Sequence, residues 1–202
     1  MFEKRSFEVR ADSEKSIITG RPIVFNSRTD LGDCDEIIEA GALDKANLSD
    51  VRFLINHDLN KIPLARAKAG DSNSTMKISV DKDGMGISVE LDTENNSEAR
   101  ALYSAVKRGD ISGMSFMFSI DDEEWENLDS EHPTRHIKSI SQVVEVSAVT
   151  FPAYGTTEIY ARDKKALDNA KKTLDSAKRS LDSEKEKKEL ELLKIKYQIL
   201  LK

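Results

Sequence analysis

The chain has 202 residues, about the size of one domain with an appendage. It contains one cysteine, which excludes an internal disulfide framework and a cysteine-based zinc cage. Apolar residues make up 38% and charged residues 34%, and no run of about 18 apolar residues exists to form a membrane span. The polar start of the chain and the single thiol, Cys34, lead us to expect a protein without a signal peptide, working in a reducing cytoplasm. The net charge of −6 is unevenly divided: residues 162–202 carry 13 Lys/Arg against 8 Asp/Glu, leaving 18 basic and 29 acidic residues in 1–161. An acidic body, 1–161, with a basic tail, 162–202, is therefore expected. Such a body is a poor partner for duplex nucleic acid, whose phosphates need clustered Lys/Arg. The 6% of aromatic residues gives few platforms for stacking single-stranded bases.

In chain order, the body reads as mainly β with helices, an α+β pattern. Ser16–Phe25 is extended, interrupted by Gly20 and Pro22. A short helix is expected after Gly41-Ala-Leu43. Met76–Val80 and Ile87–Leu91 alternate around Asp81-Lys-Asp-Gly-Met-Gly86, predicting a hairpin whose glycines supply positive φ. Ser97–Arg108 is a helix with a polar amino-terminal cap, a basic last turn and Gly109 as its stop. Ile111–Ile120 and Val143–Thr150 are strands, and the acidic Asp121–Glu131 stretch, which lacks a clean period, is expected to be an exposed loop.

The tail repeats a seven-residue unit three times from Lys165 to Lys185. Leu167, Leu174 and Leu181 recur every seven residues, with Ala170 and Ala177 at the second seam position. That pattern predicts a helix of coiled-coil character, with a seam weakened by its alanines and by Glu184. A broader apolar face follows from Leu190 to Leu200, so the tail is expected to need a partner or to self-associate.

The chain lacks a phosphate-binding glycine loop and a His-Glu-x-x-His or paired-cysteine motif, so no metal or organic cofactor is expected. His57 ends the apolar run Val51-Arg-Phe-Leu-Ile-Asn-His57, where a strand meets a loop; it reads either as a structural histidine or as a base. His132 and His136 flank Pro133 beside the acidic stretch, and His136 reads as a surface residue. Ser115 lies in Ile111-Ser-Gly-Met-Ser-Phe-Met-Phe118. It reads either as the polar face of an alternating strand, shared with Met117 and Ser119, or as a nucleophile. A serine hydroxyl is nearly inert until an imidazole takes its proton, and the imidazole needs a third group to set its tautomer. Glu145 is a carboxylate suited to that task; its alternative reading is a strand glutamate facing water.

The blocks Gly20–Phe25, Glu36-Ile-Ile-Glu-Ala-Gly-Ala-Leu43, Phe53-Leu-Ile-Asn-His-Asp58 with Pro63-Leu64, Ile111–Phe118 and Glu145-Val-Ser-Ala-Val-Thr-Phe-Pro-Ala153 resemble, in that order, those of the tailed-phage prohead maturation proteases. These are serine proteases similar in fold to herpesvirus assemblin, and the resemblance covers about residues 16–160. It implies a small assemblin-like β-barrel surrounded by helices, with Ser115 as nucleophile and His57 as general base. Glu145 takes the position where the herpesvirus enzymes have a second histidine. His136 competes for that position, but it belongs to none of the matching blocks. The resemblance also puts the oxyanion hole near Pro152-Ala-Tyr-Gly155. Two positions depart from the family pattern: Met117 and Ala65 stand where glycine is usual.

The activity so implied is a serine endopeptidase that processes the major capsid protein and scaffold, and itself, inside the immature capsid in the host cytoplasm. The exposed Tyr160–Lys165 junction is a candidate for self-cleavage. The rival reading is a capsid-assembly scaffold that keeps the protease-like body but acts through its helical tail.

Overall fold

A computed structural model describes residues 10–12, 16–150 and 164–200. The strands in chain order are β1 (Arg10–Asp12), β2 (Ile17–Val24), β3 (Arg28–Asp30), β4 (Asp35–Ile38), β5 (Asp50–Ile55), β6 (Ala65–Lys68), β7 (Met76–Asp81) and β8 (Gly84–Glu90). Helix α1 (Ser97–Arg108), two long strands, β9 (Gly113–Glu126) and β10 (Thr134–Val149), and the tail helix α2 (Lys164–Leu200) complete the set. Over the described residues the chain is thus mainly β with two helices, an α+β pattern as its sequence predicts.

The predicted hairpin forms as β7 and β8. Gly84, the first residue of β8 after the two-residue turn, has φ +139°, and a Cβ there would lie 2.0 Å from the Ile23 carbonyl oxygen. Glycine is required because β2 approaches this backbone so closely. The second glycine of the run, Gly86, lies further along β8 and does not have the expected positive φ. Helix α1 is capped by Asn96, whose Oδ1 accepts from the Glu98 and Ala99 amides, and it ends at Gly109 in the left-handed conformation at φ +80°. The helix expected after Gly41 is instead a run of turns, closed by Ala42, Asp44 and Ala46 amides that each reach back three residues.

The strands form two sheets, a four-stranded one ordered β1-β2-β8-β7 and a six-stranded one ordered β3-β4-β10-β5-β6 with β9 on β10. Among the described residues these sheets do not close into the expected barrel. Where β6 approaches the β7 side, hydroxyl groups take the place of a backbone ladder. Thr75 Oγ1 accepts from the Arg66 amide at 3.0 Å and Ser74 Oγ from the Lys68 amide at 2.9 Å. With these edge donors satisfied by side chains, β6 needs no further strand partner. Ile18, Ile23, Met85 and Val89 from one sheet and Phe53, Met114, Ile137, Ile140 and Val146 from the other make the buried core, and α1 adds Ala99, Leu102 and Val106.

The acidic stretch expected to be a loop is strand as far as Glu126, paired antiparallel with the first part of β10. The physical reason is the basic face opposite. Arg135 reaches Glu123 and also Glu36, the latter at 3.2 Å, while Lys138 and His136 meet Glu124 and Glu126, each at 3.2 Å. The Arg135 guanidinium also lies 5.8 Å from the centre of the Trp125 ring.

Helix α2 forms as the heptads predict, but its seam is not left wholly to an outside partner. Ala170 and Leu174 are buried with Cys34 in a cluster that Leu31, Trp125 and Leu128 flank. Lys171 adds an ion pair to Asp33 at 3.1 Å. The burial fades after Leu181, and Leu190, Leu192 and Leu193 are 55–59% exposed.

Candidate functional site

Strand β10 organises the site. One edge is paired along nearly its whole length by β9, and the other is shared by β4 at its start and β5 at its end, both parallel to it. A register irregularity between Val143 and Glu145 lets Val144 drop out of the pairing with β9. A bulge of this kind turns the following side chains relative to the sheet. Beyond it, Glu145 and Ser147 are both fully buried, and so are Val146 and Ala148 on the alternate positions. The expectation of a strand glutamate facing water therefore does not hold.

His57 follows the end of β5. Asn56 and His57 are consecutive residues in the left-handed region, at φ +51° and +56°. Asparagine and histidine are among the side-chain-bearing residues that enter this region most readily. The turn lifts the imidazole off the strand and over β10, where His57 Nδ1 lies 2.5 Å from Glu145 Oε1. The other carboxylate oxygen, Oε2, accepts from the Ser147 hydroxyl at 2.6 Å. Ser147 Oγ in turn accepts the His57 backbone N–H at 3.0 Å. His57 and Glu145 are thus brought together across 88 positions of sequence.

Ser115 is on β9, directly paired with Ser147 in the antiparallel register. Directly opposed residues share a sheet face, with Cβ atoms about 4.5–5.5 Å apart. Ser115 is therefore on the face that carries Ser147, Glu145 and the His57 imidazole. It is 5% exposed, between buried Met114 and Phe116, and the Phe116 ring stacks on Phe118 with centroids 4.8 Å apart. Of the two departures from the family pattern, Met117 is paired with Glu145, and Ala65 is paired with Phe53 and buried.

His136 is elsewhere. Nine residues before Glu145 on the same strand, it is about 30 Å away at the usual rise per residue. Its Nδ1 lies 3.0 Å from Glu39 Oε1 and its Nε2 3.2 Å from Glu126 Oε2. His132 Nε2 lies 3.2 Å from Asp35 Oδ1, with Asp30 also nearby. These three groups are close enough to suit a metal ion, but Arg28 Nη1 is already 2.5 Å from Asp35 Oδ2, so the cluster has a cation of its own. Pro152–Gly155 and residues 160–163 of the junction lie outside the described residues.

Three residues around His57 escaped the sequence reading: Ser147, Asn56 and Thr150. The Asn56 amide group donates to Thr150 Oγ1 at 3.2 Å, and its Oδ1 accepts the Thr150 N–H at 2.9 Å. The available signal was spacing, since Glu145 and Ser147, two apart on a strand, had to face the same way.

Over 156 residues the chain is 29% identical to the prohead protease of Enterobacteria phage HK97, covering 75% of this chain and 62% of that protein. It thus spans less than two thirds of that relative's length. No solved structure matches it. The family model of the caudovirus prohead serine proteases matches residues 4–173, a span that takes in every strand of both sheets and the first turns of α2. On the strength of that match, the chain belongs to the caudovirus prohead serine protease family.

Proposed function

We propose that this protein is a serine endopeptidase of capsid maturation in which Ser115 is the nucleophile, His57 the general base and Glu145 the group that orients His57. The observation that carries the reading is the buried Glu145–His57 contact at 2.5 Å, on the sheet face that also bears Ser115. With Nδ1 held by the carboxylate, Nε2 is the nitrogen that takes the Ser115 proton as Oγ attacks the scissile carbonyl. Glu145 stabilises the imidazolium that forms. The protonated ring then delivers its proton to the leaving amine, and water, activated by the same imidazole, hydrolyses the acyl-enzyme. Glu145 is preferred to His136 as the third member because His136 is bound to two other carboxylates at the far end of β10.

The substrates in this reading are the capsid and scaffold proteins of the immature shell, inside the host cell, with self-cleavage at the junction before α2. Family membership and the similarity to a prohead protease support it. The test is Ser115→Ala, scored by processing of a co-expressed shell protein and by thermal melting. A folded variant that processes its substrate fully refutes the assignment.

A second reading, an assembly scaffold acting through α2, is favoured by one observation: the distal half of that helix carries exposed Leu190, Leu192 and Leu193. In the protease reading, the same surface tethers the enzyme to a shell or scaffold protein, or to a second α2 as a coiled coil. Tethering raises the effective substrate concentration without altering the chemistry. If particles assemble normally with Ser115→Ala or His57→Ala but not after truncation of α2, the scaffold reading is preferred.

A further inference from the structure

We propose that Ser147 is a positioning residue that couples the orientation of the Glu145 carboxylate to the left-handed backbone of His57; the inference rests on the triad reading above. A buried carboxylate beside an imidazole can rotate so that either oxygen, or neither, accepts the Nδ1 proton. Here one oxygen is occupied. The Ser147 hydroxyl donates to Oε2 at 2.6 Å, leaving Oε1 aimed at His57 Nδ1 at 2.5 Å. The lone pairs of the same hydroxyl oxygen receive the His57 N–H at 3.0 Å. One side chain, itself fully buried, thus holds the orienting carboxylate and the main chain of the base together.

The next position is braced in the same way. Asn56 is held by the Ala148 carbonyl at 3.0 Å and by its two-way exchange with Thr150. The end of β10 therefore clamps the turn that carries the imidazole at successive points, and Ser147 is where that clamp meets the reacting groups. The pairing of Ser147 with Ser115 ties the nucleophile's strand to the same residue. A serine suits the position because its one proton and its lone pairs serve different neighbours at once, whereas alanine serves neither.

The experiment compares Ser147→Ala, Ser147→Thr and the unaltered full chain, by peptide hydrolysis and by proton NMR of the His57 Nδ1–H resonance. Ser147→Ala is expected to lower kcat about 10- to 100-fold, the rate equivalent of one hydrogen bond to a charged group, while KM changes little. The Nδ1–H resonance, expected far downfield in the unaltered protein from the 2.5 Å contact, should move or broaden. Ser147→Thr, which keeps the hydroxyl, should recover most of the rate and the resonance. Two results overturn the proposal: a folded Ser147→Ala protein with unchanged kcat and resonance, or equal impairment of the alanine and threonine variants with the resonance unmoved. If Ser147→Ala does not fold, Ser147→Cys, a weaker donor of similar size, takes its place in the same comparison. If the unaltered protein hydrolyses no peptide or shell protein, the triad reading fails separately. The movement or constancy of the Nδ1–H resonance still decides what Ser147 does.

Discussion

Replacing Glu145 by glutamine tests the site most sharply, because the change preserves shape and removes only charge and one acceptor. Both carboxylate oxygens are in use, Oε1 at 2.5 Å from His57 Nδ1 and Oε2 at 2.6 Å from the Ser147 hydroxyl. An amide offers one oxygen for these two places. If its NH2 faces Nδ1, the imidazole must carry its proton on Nε2, where it cannot accept one from Ser115. If the amide flips, Ser147 loses its acceptor in a fully buried position. In either case the negative charge that, in the proposed triad, stabilises the imidazolium is gone. At a charge separation of about 4 Å and an effective dielectric constant near 20, that charge is worth about 4 kcal/mol, or roughly a thousandfold in rate. Stability should change far less, by about 2 kcal/mol at most, because the lost hydrogen bonds are offset by no longer burying a carboxylate. The control is His136→Ala, whose two part-exposed contacts are worth about 0.2–1 kcal/mol each and whose position is remote from Ser115. Rates on one peptide and melting curves should be measured for both variants. A folded Glu145→Gln protein within about threefold of the unaltered rate refutes the reasoning, given that general base catalysis typically contributes about a hundredfold or more. So does an inactive His136→Ala.

The other expectations test the frame around the site. Burial, then the neighbouring Glu36 carboxylate, pushes the Cys34 thiol from 9.0 up to about 11. At pH 8 its thiolate fraction should therefore be about a hundredfold below that of an exposed thiol, and reaction with a disulfide reagent correspondingly slow. Leu174→Ala, which opens the contact of α2 with Cys34, should cost about 2–3 kcal/mol in urea unfolding and speed that reaction; unchanged reactivity would show that α2 does not cover the thiol. Gly84→Ala should destabilise the fold by about 3 kcal/mol or more, because its Cβ meets the Ile23 carbonyl at 2.0 Å, whereas Gly109→Ala, with open space around it, should cost about 1 kcal/mol. The Arg21 guanidinium, bound to both Asp81 oxygens at 2.6 Å, and the Asp83 amide hold the Asp81 carboxyl below its ordinary value. Its folded-state pKa is depressed, so its contribution is present above about pH 4 and is lost as the pH falls toward the depressed value. The stability gap between the unaltered protein and Asp81→Asn should narrow on acidification, and a gap that stays constant would contradict the pairing.

Elements whose signals are local were legible in the sequence. The β7–β8 hairpin follows from alternation around a glycine turn, α1 from its end signals, and α2 from its heptads. For α1 the legible signals were the polar amino-terminal cap, the basic last turn and the Gly109 stop, and all of these signals depend on residues within a few positions of one another. The family-bearing blocks around His57, Ser115 and Glu145 were also visible as sequence, together with the residue types that make nucleophile, base and carboxylate chemistry conceivable. What they could not convey was relative placement. Residues 121–126 have no strand periodicity of their own and become a strand because Arg135, His136 and Lys138 stand opposite them on β10. Ala170 and Leu174 of the α2 seam are buried because Cys34 and Trp125, distant in sequence, offer an apolar surface. Glu145 faces inward through a bulge in the β9–β10 pairing, and it meets His57 only because β5 and β10 run parallel in one register. Ser147 owes its two partners to the same register. Periodicity reports which side of its own element a residue faces; which residues face each other is settled by long-range pairing, and that was decided only by the tertiary structure.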